Sequence, residues 1–278
     1  MTYKIIGDSC TDITTTLKND EHIAIAPLSL QVGDEVIIDD ETFNQGEFLE
    51  KMKQCPTAPS SACPSPEAYM AHFDGADDIY VITISSKLSG SYNSAMVAKN
   101  MYLEDHPDKN IEIIDSMSAS VGQSLILLKL KELAQKGTPF KDVVEQVKQY
   151  RDEMRTKFVL ESLDNLQKNG RLSGLKAILC NTLNIKPIMK SDGHGNIEKE
   201  AQARGMKRAL ENLAKNVKND AIDPENKVLG ISHCNNYERA CFVRDEILKT
   251  VSFKDVFIVD TAGISTLYAN DGGIIVCY

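Results

Sequence analysis

Tryptophan is absent, no two cysteines share a C-x-x-C spacing, and no apolar run approaches the length of a bilayer span. A transmembrane helix needs about 20 consecutive apolar residues, so no membrane insertion is expected. Positive charge is also scarce: 31 Lys and Arg stand against 40 Asp and Glu, a formal net charge of −9. Nucleic acids and anionic membranes are held by clustered cations that displace counterions, and neither is an expected partner of such a surface. The cysteines, Cys10, Cys55, Cys63, Cys180, Cys234, Cys241 and Cys277, are odd in number and irregularly spaced. That pattern argues against a disulfide framework and a structural zinc site, and most of them read as small core residues.

Signatures of familiar chemistry are missing too. There is no G-x-x-x-x-G-K-[ST] phosphate loop, no G-x-G-x-x-G dinucleotide turn and no G-x-S-x-G nucleophile elbow. His22, His72, His106, His194 and His233 lie far apart, and none pairs in sequence with a nucleophile or a metal-ligand set. No catalytic residue, metal or cofactor is therefore expected. The opening residues Met1 to Asp8 place a Gly-Asp-Ser turn after a very short apolar stretch, unlike a signal peptide, and a cytoplasmic location is expected.

What is present can build a core. Of 278 residues, 42% are hydrophobic and 26% charged, which suits one large or two medium globular domains. In the first half, Tyr3 to Gly7, Ile79 to Ile84 and Ile111 to Ile114 are short β-branched runs that read as strands. Ser91 to about Tyr102 and Ser118 to Gln135 carry helical periodicity, the latter stopping at Gly137. Thr138-Pro139 reads as the start of a further helix, with a capping hydroxyl and Pro at the first helical position. Such alternation implies a mostly parallel sheet with helices on its faces. The second half mixes hairpins with helices. Lys157 to Leu160 begins a strand, and Ile185 to Ser191 and Ile197 to Ala203 flank a hairpin loop, Asp192 to Asn196. A helix is expected from Arg204 to Val217 and another from Glu238 to Lys249, among strands at Val228–Ser232, Val256–Asp260 and Ile274–Tyr278. The expected fold is α/β in two domains: a Rossmann-like, mostly parallel sheet domain over residues 1–157, then an α+β domain over 158–278.

Three loops leave the C-terminal ends of first-half strands, the edge where open α/β sheets bind ligands. They are Asp8-Ser9-Cys10-Thr11-Asp12, the stretch Ser85 to Ser91, and Asp115-Ser116. All are rich in hydroxyls. Ser89-Gly90-Ser91 precedes a helix, so backbone N–H groups, a close-approaching glycine and two hydroxyls suit one carboxylate or phosphate. The plain alternative is a serine N-cap. Residues Pro56 to Pro66 hold four prolines and read as a rigid loop carrying Ser60 and Ser61, followed by a helix that Ser65-Pro66-Glu67 opens. Gly170 reads as the residue that ends a helix, which puts Arg171 in a turn.

In this order the loops resemble the DegV family over essentially the whole chain. The family's D-S-x-x-D opening appears as Asp8 to Asp12, and its T-S-Q-P-S loop as Ser61-Ala62-Cys63-Pro64-Ser65. S-S-x-L-S-G-T-Y appears as Ser85 to Tyr92, L-x-x-L-x-x-G-G-R as Leu163 to Arg171, and I-K-P as Ile185-Lys186-Pro187. The resemblance implies a long-chain fatty acid, palmitate-like, in a pocket between and within the two domains. It implies a carboxylate held by Ser61 and Ser89, alongside Gly90 and Ser91. It also implies a separate ATP-binding fatty acid kinase subunit as a possible partner, to which the chain presents its lipid for acyl-phosphate formation. Arg171 and Arg204 match basic positions of the family. Tyr268 stands where a histidine is usual, and the G-P-G that follows that histidine is lost. Two other readings stay open: a Mg²⁺-dependent phosphotransferase or hydrolase using Asp8 and Asp12, and a regulatory protein for which the lipid is a signal.

Overall fold

A computed structural model describes residues 2–172 and 184–278. In chain order its elements begin with β1 (Tyr3–Asp8), α1 (Thr15–Lys18), β2 (Ile23–Ala26), β3 (Ser29–Val32), β4 (Glu35–Ile38), α2 (Gln45–Gln54), β5 (Ser60–Ala62) and α3 (Pro66–Met70). Next come β6 (Asp78–Thr83), α4 (Ser91–Asp105), β7 (Asn110–Asp115), α5 (Val121–Gln135), α6 (Phe140–Glu153), β8 (Thr156–Val159) and α7 (Asp164–Lys168). After these run β9 (Ile185–Ser191), β10 (Ile197–Arg204), α8 (Met206–Asp220), β11 (Val228–His233), α9 (Tyr237–Leu248), β12 (Asp255–Asp260), α10 (Gly263–Ala269) and β13 (Ile274–Cys277).

The strands form three sheets. The first is parallel throughout, in the order β2-β1-β6-β7. All six residues of β6 are buried, as a central parallel strand covered on both faces requires. A mixed sheet follows the order β10-β9-β8-β13-β11-β12, with β9 and β10 as the expected antiparallel hairpin. A small antiparallel sheet, β4-β3-β5, completes the set. The α/β class with a Rossmann-like parallel sheet followed by a mixed α+β layer is thus the observed architecture. Helix α5 packs on β1 and β6 from one side and on β11 and β13 from the other. Six of its nine buried residues, Val121, Leu125, Ile126, Leu127, Leu130 and Leu133, join one apolar cluster that spans both sheets, from Ile5 and Tyr80 to Val259 and Cys277. Among the described residues no helix is long and apolar enough to cross a membrane.

Several local expectations need correction. Helix α5 starts at Val121 and not Ser118, because Ser116, Ser118 and Ser120 are engaged in a hydroxyl-bonded loop. Helix α6 starts at Phe140, with Pro139 in extended backbone at the cap position and no side-chain cap from Thr138. The proline-rich loop contains a strand after all: Ser60–Ala62 pair with β3 as an edge strand, a place that tolerates nearby prolines. Arg204 ends β10 and does not begin α8; Gly205 intervenes at φ 83°. Of the described cysteines, Cys10, Cys234 and Cys277 are buried, Cys55 and Cys241 half-buried and Cys63 exposed, while Cys180 lies outside the described residues.

Candidate functional site

Strand order reverses between β1 and β6, so the loops after them diverge and leave a crevice at the sheet's C-terminal edge. Asp8 spans that crevice. It is fully buried, and its Oδ2 accepts from Ile84 N at 2.8 Å, while Oδ1 accepts from Cys10 N at 3.2 Å and Gln123 Nε2 at 2.8 Å. Asp12 is buried too, accepting from Ala262 N at 2.7 Å and from the Ser120 hydroxyl. Burial pushes these carboxyls up, to about 6 for Asp8 and about 7 for Asp12. Their oxygens are occupied by donors that tie three loops together. Among the described residues no group of three or more His, Cys, Asp or Glu is arranged to hold a metal ion.

Beside this crevice a narrow cavity of about 100 Å³ runs between the parallel sheet's loops and the mixed sheet. Its walls are almost wholly apolar, with Ile84, Phe158, Leu160, Leu166, Ile197 and Ile275 among them. The hairpin loop between β9 and β10 covers one side. Ser85 Oγ donates to Gly195 O at 2.8 Å and Ser191 Oγ to Met117 O at 3.3 Å. Met117 and Ser120, both on the wall, hold φ of 51° and 57°, a region non-glycine residues rarely occupy. Such backbone strain clusters at ligand clamps.

Polar side chains also reach the cavity wall from several elements, among them Ser120, Thr156, Asn196 and Ser265. Tyr268, on α10, and Arg171, just after α7, both line it. The Tyr268 hydroxyl lies 3.0 Å from Ser61 Oγ, which sits on edge strand β5. The Arg171 guanidinium stacks over the Tyr268 ring, 5.6 Å from its centroid. It is fixed there by Nε donating to Leu88 O at 3.1 Å and Nη1 to Asn169 O at 2.6 Å. Gly170, at φ 78°, makes the left-handed turn that aims Arg171 this way, as its place at the end of α7 suggested.

The structure therefore brings together Ser61, Arg171 and Tyr268, three residues singled out in the sequence. From the second loop, Leu88 is on the cavity wall, and Ser89, Gly90 and Ser91 are not. The Ser89 and Ser91 hydroxyls lie 3.0 Å apart, and Ser89 Oγ accepts from Ser91 N at 3.2 Å. Gly90, not a serine, occupies the cap position of α4. Arg204 is exposed at the end of β10 and does not join this group. Sequence reasoning missed Asn165, whose Nδ2 donates to Leu267 O at 2.8 Å and holds the end of α10. It also missed Asp39, which directly follows the apolar stretch Val36-Ile37-Ile38.

Known proteins share this chain's sequence and fold. A family model described as "Uncharacterised protein, DegV family" matches residues 2–278. A DegV domain-containing protein of Streptococcus pneumoniae is 37% identical over 282 residues, covering 100% of this chain and 99% of its own. A DegV family protein of Ruminococcus gnavus, solved with vaccenic acid, superposes with a TM-score of 0.97 at 46% identity over 100% of both chains. The fatty acid kinase B3 protein of Streptococcus pneumoniae, loaded with linoleic acid, superposes with a TM-score of 0.92 at 36% identity, covering 100% of this chain and 99% of its own. Full-length family matching, sequence identity and shared fold converge, and the chain belongs to the DegV family.

Proposed function

We propose that this protein binds a long-chain fatty acid, with the tail in the apolar cavity and the carboxylate at the Ser61–Tyr268 hydroxyl pair beside Arg171. One observation carries the reading: a cavity with almost wholly apolar walls that is also lined by Tyr268 and Arg171, with Ser61 hydrogen-bonded to Tyr268. A palmitate-like tail of about 14 methylenes gains roughly 11 kcal/mol gross on burial, before the costs of association and ordering. The tail then supplies affinity, and the head needs only orientation, which hydroxyl donors to a carboxylate give through charge-assisted bonds. The acids carried by the two solved relatives above support the same ligand class.

In this reading Ser89, Gly90 and Ser91 flank the head-group end. Residues 1–157 supply the loops that carry Ser61 and Ser89, and 158–278 add Arg171 and Tyr268 at the head group and cover the tail. The chain acts in the cytoplasm as a lipid carrier without a catalytic residue of its own, and presents the carboxylate to a separate ATP-binding kinase subunit. The relative loaded with linoleic acid is named for such a kinase, which supports this role. Native mass spectrometry of the purified chain, before and after denaturing extraction, tests the binding: a co-purified or added long-chain acid is expected on the folded chain. A chain that stays at its apo mass with added palmitate overturns the reading.

A further inference from the structure

Helix α10 starts without a cap of its own. The residue at its cap position is Ala262, which has no side-chain acceptor. A helix start leaves several N–H groups without intrahelical partners. Two carboxylates from the far end of the chain take them. Asp39 accepts from Gly263 N at 2.7 Å through Oδ1 and from Ile264 N at 2.9 Å through Oδ2, and Asp12 takes Ala262 N. The fit leaves no room at residue 263. A Cβ there would come within 2.5 Å of Asp39 Oδ1 and 2.6 Å of Leu30 Cδ1. Asp39 itself is buried just beyond β4, its N–H bonded to Leu28 O at 2.9 Å.

The small sheet that carries Asp39 also carries Ser61. Leu30 of β3 stands opposite Ser61 of β5 in the ladder and packs beside Asp39 at Gly263. The sheet thus meets α10 at two points: at its first residues through Asp39, and five residues later through Ser61 at the Tyr268 hydroxyl. Five residues of helix rise about 7.5 Å, so the position of the first contact sets the second.

We propose that Asp39 is a positioning residue of the head-group site. By capping α10 from the small sheet it sets the height and rotation of that helix, and so holds the Tyr268 hydroxyl where it pairs with Ser61 and meets the carboxylate. The inference rests on the fatty-acid reading. Asp39 touches no ligand and acts only through the helix. A carboxylate is required because both of its oxygens accept. An amide would turn an NH₂ group toward one of the two N–H donors, and the helix start would have to shift.

The test compares Asp39→Asn and Gly263→Ala, which disturb the same contact from its two partners, with Val32→Ala, which thins the apolar cluster shared by the sheet and α10 while leaving both Asp39 bonds in place. Two probes are used, [1-¹³C]palmitate and hexadecanol. The wild-type chain is expected to give a discrete bound carboxyl signal by NMR and to prefer the acid. In the two contact variants that signal should move, and the preference for acid over alcohol should fall roughly tenfold, the worth of one charge-assisted bond. Hexadecanol affinity should hold within about twofold. Val32→Ala should lower thermal stability and leave signal and preference alone. Wild-type signal and preference in whichever contact variant folds overturns the inference alone. So does a parallel loss for both probes in all three variants, which would make Asp39 a stability residue. A wild-type chain that takes up neither probe overturns the fatty-acid reading and this inference with it.

Discussion

The hydroxyls of Ser61 and Tyr268 stand 3.0 Å apart although 207 residues separate them in the chain. Tyr268 lines the cavity, and its OH supplies a polar group there. A hydrogen bond to a charged group is worth about 1.5–3 kcal/mol. Ser61→Ala and Tyr268→Phe are each expected to weaken palmitate binding roughly tenfold to a hundredfold by calorimetry. The double variant should lose less than the sum, because the two hydroxyls serve one carboxylate. Wild-type affinity in both single variants would remove this pair from the head-group site.

Arg171 makes three contacts from one planar group: two backbone carbonyls and the face of Tyr268. A lysine ammonium cannot present that fork while lying flat on a ring. Arg171→Lys should therefore cost about 1–3 kcal/mol of stability by chemical denaturation and weaken palmitate binding. A lysine variant with unchanged midpoint and affinity would count against the guanidinium as an anchor of Tyr268.

Ala119 is a small, half-buried residue on the cavity wall. Ala119→Phe should shorten the space available to the tail. Each methylene displaced forfeits about 0.8 kcal/mol, so an 18-carbon acid, longer by about six methylenes, should suffer more than a 12-carbon one. Competition assays over a series of chain lengths read this directly. An equal loss at every length would mean that the tail does not pass residue 119.

Burial raises the carboxyl of Asp12 to about 7 and those of Asp8 and Asp39 to about 6. Each then binds its proton more tightly folded than unfolded. Their contribution is full below about pH 4 and is lost as pH rises through about 6 to 7. Inside its window each group changes stability by about 1.4 kcal/mol per pH unit. Asp12→Asn can keep the bond from Ala262 N, while Ser120 turns to accept from the amide. It should flatten the decline between pH 4 and 7 and raise stability at pH 8 relative to wild type in urea titrations. A slope identical to wild type would show that Asp12 does not titrate in this range.

The elements legible in the sequence were those fixed by short-range pattern. The β-branched runs that became β1, β6 and β7, the hairpin of β9 and β10, and the Ser65 cap of α3 each depend on fewer than about ten neighbouring residues. Local pattern misled where tertiary pairing won. Ser60–Ala62 sits among prolines and still forms a strand, because β3 offers a partner and an edge position requires few of its N–H groups. The Thr138-Pro139 signal was displaced by one residue because Pro139 sits in extended backbone before the helix.

The sequence by itself determined the α/β class, the hydroxyl-rich loops at one sheet edge and the scarcity of positive charge. Those properties are written residue by residue and need no knowledge of what packs on what. Only the tertiary structure decided that Tyr268 meets Ser61, that Arg171 lies over its ring, and that Asp39 caps the helix beneath it across 224 residues of chain. Contacts of that separation depend on how α10 seats against the small sheet and α7, and no periodicity within either segment encodes the seating.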